Sequence, residues 1–126
     1  MNMKALIYIF VGGGAGSVLR YLLQLLIATR SAAAGGFPWA TWAANVTGCF
    51  LIGLFYGWSE QGSWSAETRL LLTTGLCGGF TTFSTFSNES LTLARQGEYL
   101  LCGLYLLVSL TAGVAAAWAG SRLIHT

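Results

Sequence analysis

Apolar residues fill four long stretches of the chain, and short polar segments separate them. The stretches cover residues 5–28, 37–58, 68–93 and 99–124. Each approaches or exceeds the roughly 20 residues that a helix needs to cross about 30 Å of hydrocarbon. Tryptophan and tyrosine lie mostly near the ends of the stretches, where such rings favour the headgroup level. The pattern predicts an all-α integral membrane protein, with residues 1–126 as one transmembrane domain of four transmembrane helices.

Composition supports a lipid environment and removes several function classes. Only 8% of the 126 residues are charged and 55% are hydrophobic, whereas soluble domains are about 25% charged. A net charge of +2 without a basic stripe predicts no nucleic-acid partner. Cys49, Cys77 and Cys102 are scattered through apolar runs, so we interpret them as packing residues. His125 stands alone at the C-terminus, and no nucleophile has a base beside it, so we expect no enzyme activity.

The first stretch has a second interpretation as a cleaved signal peptide. Lys4 precedes the apolar run, and small residues at 31–34 follow it. Arg20 interrupts the run, however, and the stretch is long for a signal peptide. A transmembrane helix is the favoured interpretation.

The charges flanking the four stretches are nearly balanced between the two sides of the membrane. One side carries Lys4, Arg69 and Arg122, and the other carries Arg30 and Arg95. Positive charge near the ends of the spans normally sets the orientation, and here it gives almost no bias. Insertion both ways up would allow an antiparallel, dual-topology homodimer about an axis in the membrane plane. An ordinary fixed orientation is the alternative.

The third stretch contains an unusual run at its centre, residues 75–89. Glycine, β-branched and hydroxyl residues are concentrated there, and they are mediocre helix formers. The run predicts that the third helix is broken near the bilayer midplane. Backbone groups freed by such a break are tolerated only when they are buried or line a cavity. Freed carbonyls can coordinate a small hard cation such as Na⁺.

The same run combines rings and hydroxyls. Phe80, Phe83 and Phe86 recur every three residues, with Ser84 and Thr85 between them. Ring edges are electropositive and hydroxyls can replace hydration water, so the two together favour a path for a small hard anion. Conduction requires weak binding at several sites, which this set provides without a full charge. The alternative is that the phenylalanines pack against lipid and neighbouring helices.

Polar and small residues also mark single faces of the other helices. Thr41, Asn45 and Gly48 share one face of the second helix, and Tyr105 and Ser109 share one face of the fourth. These side chains either join helices or line a pore.

Glycine pairs occur at a spacing that lets helices approach closely. The pairs are Gly12 with Gly16, Gly53 with Gly57, and Gly75 with Gly79. Arg20 follows the first pair at the same spacing. It either snorkels to the interface or supplies positive charge to a vestibule.

Three motifs make the chain resemble the Fluc (CrcB-type) family of small fluoride channels. The motifs are Gly12-Gly13-x-x-Gly16-x-x-x-Arg20-Tyr21, Thr41-x-x-x-Asn45-x-x-Gly48, and Gly78-Gly79-Phe80-Thr81-Thr82-Phe83-Ser84-Thr85-Phe86-Ser87-x-Glu89. The resemblance covers the whole chain in length and span number, and the third motif is highly specific.

The resemblance implies a passive fluoride channel that exports fluoride from the cytoplasm through the bacterial inner membrane. It implies an antiparallel homodimer with two pores and a structural sodium ion on the dimer axis. The fluoride pore would be lined by Phe83, Phe86, Asn45, Ser84, Thr85, Tyr105, Ser109 and Glu89. Arg20 would lie at the vestibule, and the backbone carbonyls of Gly78 and Thr81 would bind the sodium ion.

Two other functions fit a small four-helix membrane protein. A proton-coupled exporter resembling small multidrug-resistance transporters needs a carboxylate within the membrane. The first helix has none, and Glu89 is the only carboxylate inside a span. A non-conducting assembly subunit would use the glycines for packing but leaves the central Phe/Thr/Ser run unexplained.

Overall fold

The computed structural model describes residues 3–31, 36–62 and 64–124, all of them helical or in short links. Helix α1 spans Met3–Ser31, α2 spans Trp39–Gln61 and α6 spans Tyr99–Ile124. Between α2 and α6 lies the third segment, which is built from several pieces. Part of the predicted link between the first two helices, residues 32–35, lies outside the described residues.

The third segment is interrupted, as its glycine- and threonine-rich centre predicts. It begins as α3, Ala66–Leu70, continues as a π-helix over Leu71–Cys77, and ends with one α-helical turn, α4, at Gly78–Phe80. We call residues 66–80 the first half-helix. The backbone is then extended at Thr81 and Thr82 before α5 begins, and α5 spans Phe83–Arg95. The break therefore lies within the predicted run, and the π-helix before it was not foreseen.

Helix α1 packs against the first half-helix through glycines. A Cβ atom at Gly12 would collide with the carbonyl oxygen of Leu71, and one at Gly16 would collide with that of Leu76. Conversely, a Cβ atom at Gly79 would collide with the carbonyl oxygen of Gly13. Backbone lies directly on backbone here, which only glycine permits. This confirms the interpretation of the Gly12/Gly16 and Gly75/Gly79 pairs as packing devices.

Helices α2 and α6 run in the same direction and pack over most of their lengths. A Cβ atom at Gly53 would meet the backbone of Ala117, and one at Gly113 would lie 3.4 Å from the Cys49 sulfur. Residue numbers increase together along both helices, so the pair is parallel. The same register places Thr41 level with Tyr105 and Asn45 level with Ser109, which aligns the two polar faces predicted from the sequence.

The turn from α5 to α6 reverses the chain within a few residues. The N–H of Glu98 donates to the carbonyl of Leu93 at 2.9 Å, and that of Gly97 donates to Ala94 at 3.1 Å. Gly97 has a φ of +79°, so this is a Schellman motif closed by a left-handed glycine. Helix α6 consequently runs back alongside α5.

Large apolar side chains cover much of the surface, and some polar side chains are buried. Phe10, Leu100 and Val114 are each more than 70% exposed, whereas Thr41 and Thr73 are buried. Such a distribution is the reverse of a water-soluble domain and fits a lipid surround. Two of the described helices are long and apolar enough to cross a membrane, over Met3–Ile27 and Tyr99–Ile124.

The helix ends differ modestly from the sequence expectation. Helix α1 ends at Ser31 rather than residue 28, and α2 begins at Trp39 and ends at Gln61 rather than spanning 37–58. Phe37 and Pro38 precede α2 because proline favours a helix start and disfavours helical geometry before it. Helix α6 has the predicted bounds.

Candidate functional site

The break in the third segment is held from α2 by the side-chain amide of Asn45. The Thr82 N–H donates to Asn45 Oδ1 at 2.8 Å, and Asn45 Nδ2 donates to the Thr82 carbonyl at 3.2 Å. In a continuous helix the Thr82 N–H would donate to the Gly78 carbonyl. Asn45 therefore replaces a helical hydrogen bond, so the predicted pore-lining amide is engaged with the backbone.

A cluster of hydroxyls caps the N-terminus of α5. Thr82 Oγ1 accepts the N–H of Thr85 at 3.3 Å, which makes Thr82 the N-cap. The same hydroxyl donates to Thr85 Oγ1 at 3.1 Å and lies 3.4 Å from Ser84 Oγ. A helix N-terminus carries partial positive charge, and its first N–H groups favour an anion. The predicted hydroxyls Ser84 and Thr85 therefore lie at the positive end of α5.

The two predicted phenylalanines sit on the first turn of α5 in different surroundings. Phe86 is buried, and its ring centroid lies 5.0 Å from that of Tyr105. Phe83 is 77% exposed, with its centroid 6.0 Å from Phe86. Phe86 is thus fixed by packing between helices, whereas packing does little to hold Phe83.

The side chains of Tyr105 on α6 and Glu89 on α5 are joined by a hydrogen bond. The Tyr105 hydroxyl donates to Glu89 Oε1 at 2.9 Å, and Tyr105 is completely buried. The Thr41 hydroxyl faces the Tyr105 phenol from α2 but makes no hydrogen bond of good geometry. Tyr105 therefore links α6 to α5 by a hydrogen bond, at the level of Thr41 on α2.

A cavity of about 470 Å³ lies between α2, the first half-helix, α5 and α6. Its walls include Asn45, Thr82, Phe83, Phe86 and Ser109. Ser109 Oγ is shielded from solvent and has no hydrogen-bond partner among the described residues. A shielded hydroxyl without a partner is costly, so it is a ready donor or acceptor for a bound species. Four predicted pore residues, Asn45, Phe83, Phe86 and Ser109, thus meet at one cavity beside the break, whereas Ser84, Thr85, Tyr105 and Glu89 are not part of its lining.

Arg20 is half-buried and bonds to the end of the first half-helix. Its Nε donates to the Gly79 carbonyl at 3.2 Å. The carbonyl end of a helix carries partial negative charge, so a cation there is favourable. Arg20, which is predicted to lie at the vestibule, is therefore hydrogen-bonded to the backbone just before the break.

The carbonyls of Gly78 and Thr81 have lost their helical donors. The Thr82 N–H donates to Asn45, and the Thr85 N–H donates to Thr82 Oγ1, instead of to Gly78 and Thr81. Oxygen atoms freed in this way suit a small hard cation. The backbone carbonyl oxygens of Gly78 and Thr81 are therefore chemically suitable ligands for a sodium ion.

Two features of the site were not found from the sequence. Thr82 is both the N-cap of α5 and the backbone partner of Asn45. The Trp42 indole N–H is buried without a partner among the described residues, and Trp42 packs against the cluster of Phe86, Leu93 and Tyr105. The available signal for the N-cap was a threonine, a favoured N-cap residue, directly after the glycine-rich break.

Comparison with known proteins identifies the family of this chain. The family described as "CrcB-like protein, Camphor Resistance (CrcB)" matches residues 7–121. The chain belongs to this family.

Curated relatives are similar over nearly their whole lengths. A Bacteroides fragilis protein named fluoride-specific ion channel FluC is 51% identical over 122 residues, covering 96% of each chain. A Phocaeicola vulgatus protein of the same name is 49% identical over 118 residues, covering 94% of this chain and 96% of the relative. One from Chlorobaculum tepidum is 46% identical over 124 residues, covering 98% and 96%. These relatives are named as ion channels and not as enzymes.

Proposed function

We propose that the chain forms a passive, fluoride-selective ion channel. Its relatives at 46–51% identity are named fluoride-specific ion channels, and they align with almost the entire chain. The single structural observation that carries the proposal is the cavity at the break. There the N-terminus of α5, two phenylalanines and several hydroxyls surround one space.

The proposed selectivity follows from the chemistry of those groups. Fluoride is small and strongly hydrated, so it leaves water only for donors that replace its hydration shell. Thr82 and Ser109 supply hydroxyls at the cavity, and Ser84 and Thr85 supply hydroxyls on the adjoining first turn of α5. The phenylalanine edges supply weak positive potential. Arg20 is half-buried and bonds to Gly79, so its charge lies beside the break. Weak donors in series permit exit as well as entry.

The proposed assembly is an antiparallel homodimer with four transmembrane helices per chain and two pores. Support comes from the balanced flanking charges and from the large apolar surface of α1 and α6. The break would lie near the bilayer midplane and close to the dimer axis. The proposed location is the bacterial inner membrane, where such a channel lets fluoride leave the cytoplasm.

A structural sodium ion would be held by the carbonyls of Gly78 and Thr81 from both chains. When bound, it supplies a fixed positive charge and cross-links backbone oxygens at the break. The lost helical donors of these carbonyls support the proposal.

The exporter alternative finds less support at Glu89. A proton-coupled exporter needs its carboxylate available to exchange a proton for a cationic substrate. Glu89 Oε1 instead accepts the Tyr105 hydroxyl at 2.9 Å.

Vesicle efflux without a proton gradient tests the proposal. Liposomes containing the purified protein are loaded with potassium fluoride, and valinomycin removes the voltage that would stop net flow. We expect fluoride to leave down its own gradient with no pH difference applied. A requirement for a proton gradient, or proton-driven uptake of an organic cation, would favour the exporter instead.

Orientation can be tested with charge added at one end. Two lysines inserted beside Arg69 should fix the chain in one orientation and impair fluoride efflux. Co-expression with a copy biased the opposite way should restore efflux. Full activity of a single fixed orientation would rule out the antiparallel dimer while leaving the channel intact.

A further inference from the structure

The Asn45 amide makes an unusual pair of bonds to a single distant residue. Its oxygen accepts the Thr82 N–H and its nitrogen donates to the Thr82 carbonyl, across 37 positions of sequence. We propose that Asn45 is a positioning residue that holds the third segment in its broken form and thereby places the start of α5. We call this pair of bonds the Asn45 clamp.

The geometry of Thr82 explains why the clamp selects the broken form. Thr82 is extended, with φ −150° and ψ 112°. An extended residue presents its N–H and its carbonyl to the same side, as in an antiparallel ladder, where both bond to one partner. In a helix the two groups point in opposite directions along the axis. The planar amide of Asn45 can therefore bond both groups only when Thr82 is not helical.

The clamp has a specific consequence for Phe83, the next residue. Phe83 is 77% exposed within one chain, so the backbone at the start of α5 orients its ring more than packing within the chain does. Phe86 differs because it is buried against Tyr105. Loss of the clamp should thus disturb Phe83 and the Thr82 cap while Phe86 keeps its place. The effect of this disturbance on fluoride efflux rests on the proposed channel function, but the clamp itself does not.

The clamp leaves part of the Asn45 amide available to an ion. A primary amide has two N–H donors, and the Thr82 carbonyl uses one of them. Positioning and ion binding therefore make separate predictions. A positioning residue alters the exchange of the Thr82 N–H, whereas a residue that only binds the anion does not.

Hydrogen exchange of the full-length protein in lipid nanodiscs measures the clamp without using transport. In Asn45→Ala we expect the Thr82 amide to exchange roughly tenfold faster, the factor expected for loss of one hydrogen bond. Fluoride efflux per folded molecule should fall, and the ratio of fluoride to chloride efflux should fall with it. Asn88→Ala removes an exposed amide on α5 and is the matched control, with both readouts unchanged.

A second variant keeps the proposal testable if Asn45→Ala does not fold. Asn45→Asp has the same shape, retains the acceptor for the Thr82 N–H, and lacks the donor at neutral pH. We expect the Thr82 N–H to remain protected in this variant, with less protection than in the wild type.

The outcomes separate the clamp from the channel. Unchanged exchange at Thr82 in Asn45→Ala would overturn the clamp, whatever happens to efflux. Faster exchange with unchanged efflux and selectivity would overturn the positioning role. If the wild type conducts no fluoride, the channel proposal fails, and the exchange result still decides whether the clamp exists.

Discussion

The two halves of the third segment are held in place by different means. The first half-helix, residues 66–80, lies backbone to backbone on α1, and glycines on both sides allow that contact. Helix α5 is held instead by side chains, chiefly Phe86, Leu93 and the bond from Tyr105 to Glu89. The glycine interface fixes the position of the first half-helix but supplies no side chains that could bind an ion. The α5 side contributes rings, hydroxyls and a helix N-terminus, so the proposed ion path lies there.

The strongest effect should come from filling the glycine interface. Gly16→Val adds atoms that collide with the backbone of Leu76 and Phe80. We expect a loss at or above about 5 kcal/mol, the exceptional range for one substitution. Gly14→Val is the matched control, because nothing lies within 4 Å of its Cβ position. Recovery of folded protein after heating in detergent measures both, and equal recovery would refute the tight interface.

Truncating the two phenylalanines should separate stability from transport. Phe86→Ala removes a buried ring and should cost about 3–5 kcal/mol. Phe83→Ala removes an exposed ring and should change stability by no more than about 0.5 kcal/mol. Thermal melting measures stability, and liposome efflux measures transport, which should fall in both. Equal melting temperatures for the two variants would contradict the assigned burial.

The hydrogen bond from Tyr105 to Glu89 should appear as a coupling free energy in a double-mutant cycle. Tyr105→Phe removes only the hydroxyl that donates to Glu89 and should cost about 1–3 kcal/mol. Glu89→Gln changes the acceptor, and the double variant completes a cycle. We expect a coupling of about 1 kcal/mol in thermal unfolding. Strict additivity would mean that the two side chains do not interact in the membrane.

The two N-caps of the third segment should matter equally for stability and unequally for transport. Ser65 caps α3 and Thr82 caps α5, each accepting an N–H three residues on. Replacing either with alanine should cost about 1 kcal/mol. Only Thr82→Ala should lower fluoride efflux, because only Thr82 lines the cavity. Equal losses of efflux would place the ion path away from the α5 cap.

The sequence predicted the break because its cause is local. Residues 75–89 combine glycines with β-branched and hydroxyl residues, and each weakens a helix without reference to the rest of the chain. The glycine spacings likewise predicted helix contacts, and the structure pairs Gly12 and Gly16 of α1 with the first half-helix. The family resemblance is also visible in the sequence, because the residues of the third motif follow one another along the chain.

The partners of the polar side chains could not be predicted, because they depend on tertiary register. The sequence predicts a pore-lining role for Asn45, and the structure adds that its amide bonds to the backbone of Thr82. The family resemblance predicts Arg20 at a vestibule, and the structure adds that its guanidinium bonds to the Gly79 carbonyl. The π-helix before the break also went unforeseen, because its widened turn leaves no local pattern in the sequence.

Parallel fluoride and chloride efflux from liposomes tests the central claim most directly. The wild type and Phe83→Ala are compared at equal amounts of folded protein per vesicle. We predict fluoride efflux without chloride efflux for the wild type, and a large loss of fluoride efflux for the variant. Chloride leaving as fast as fluoride, or a variant as active as the wild type, would contradict a fluoride path at the start of α5.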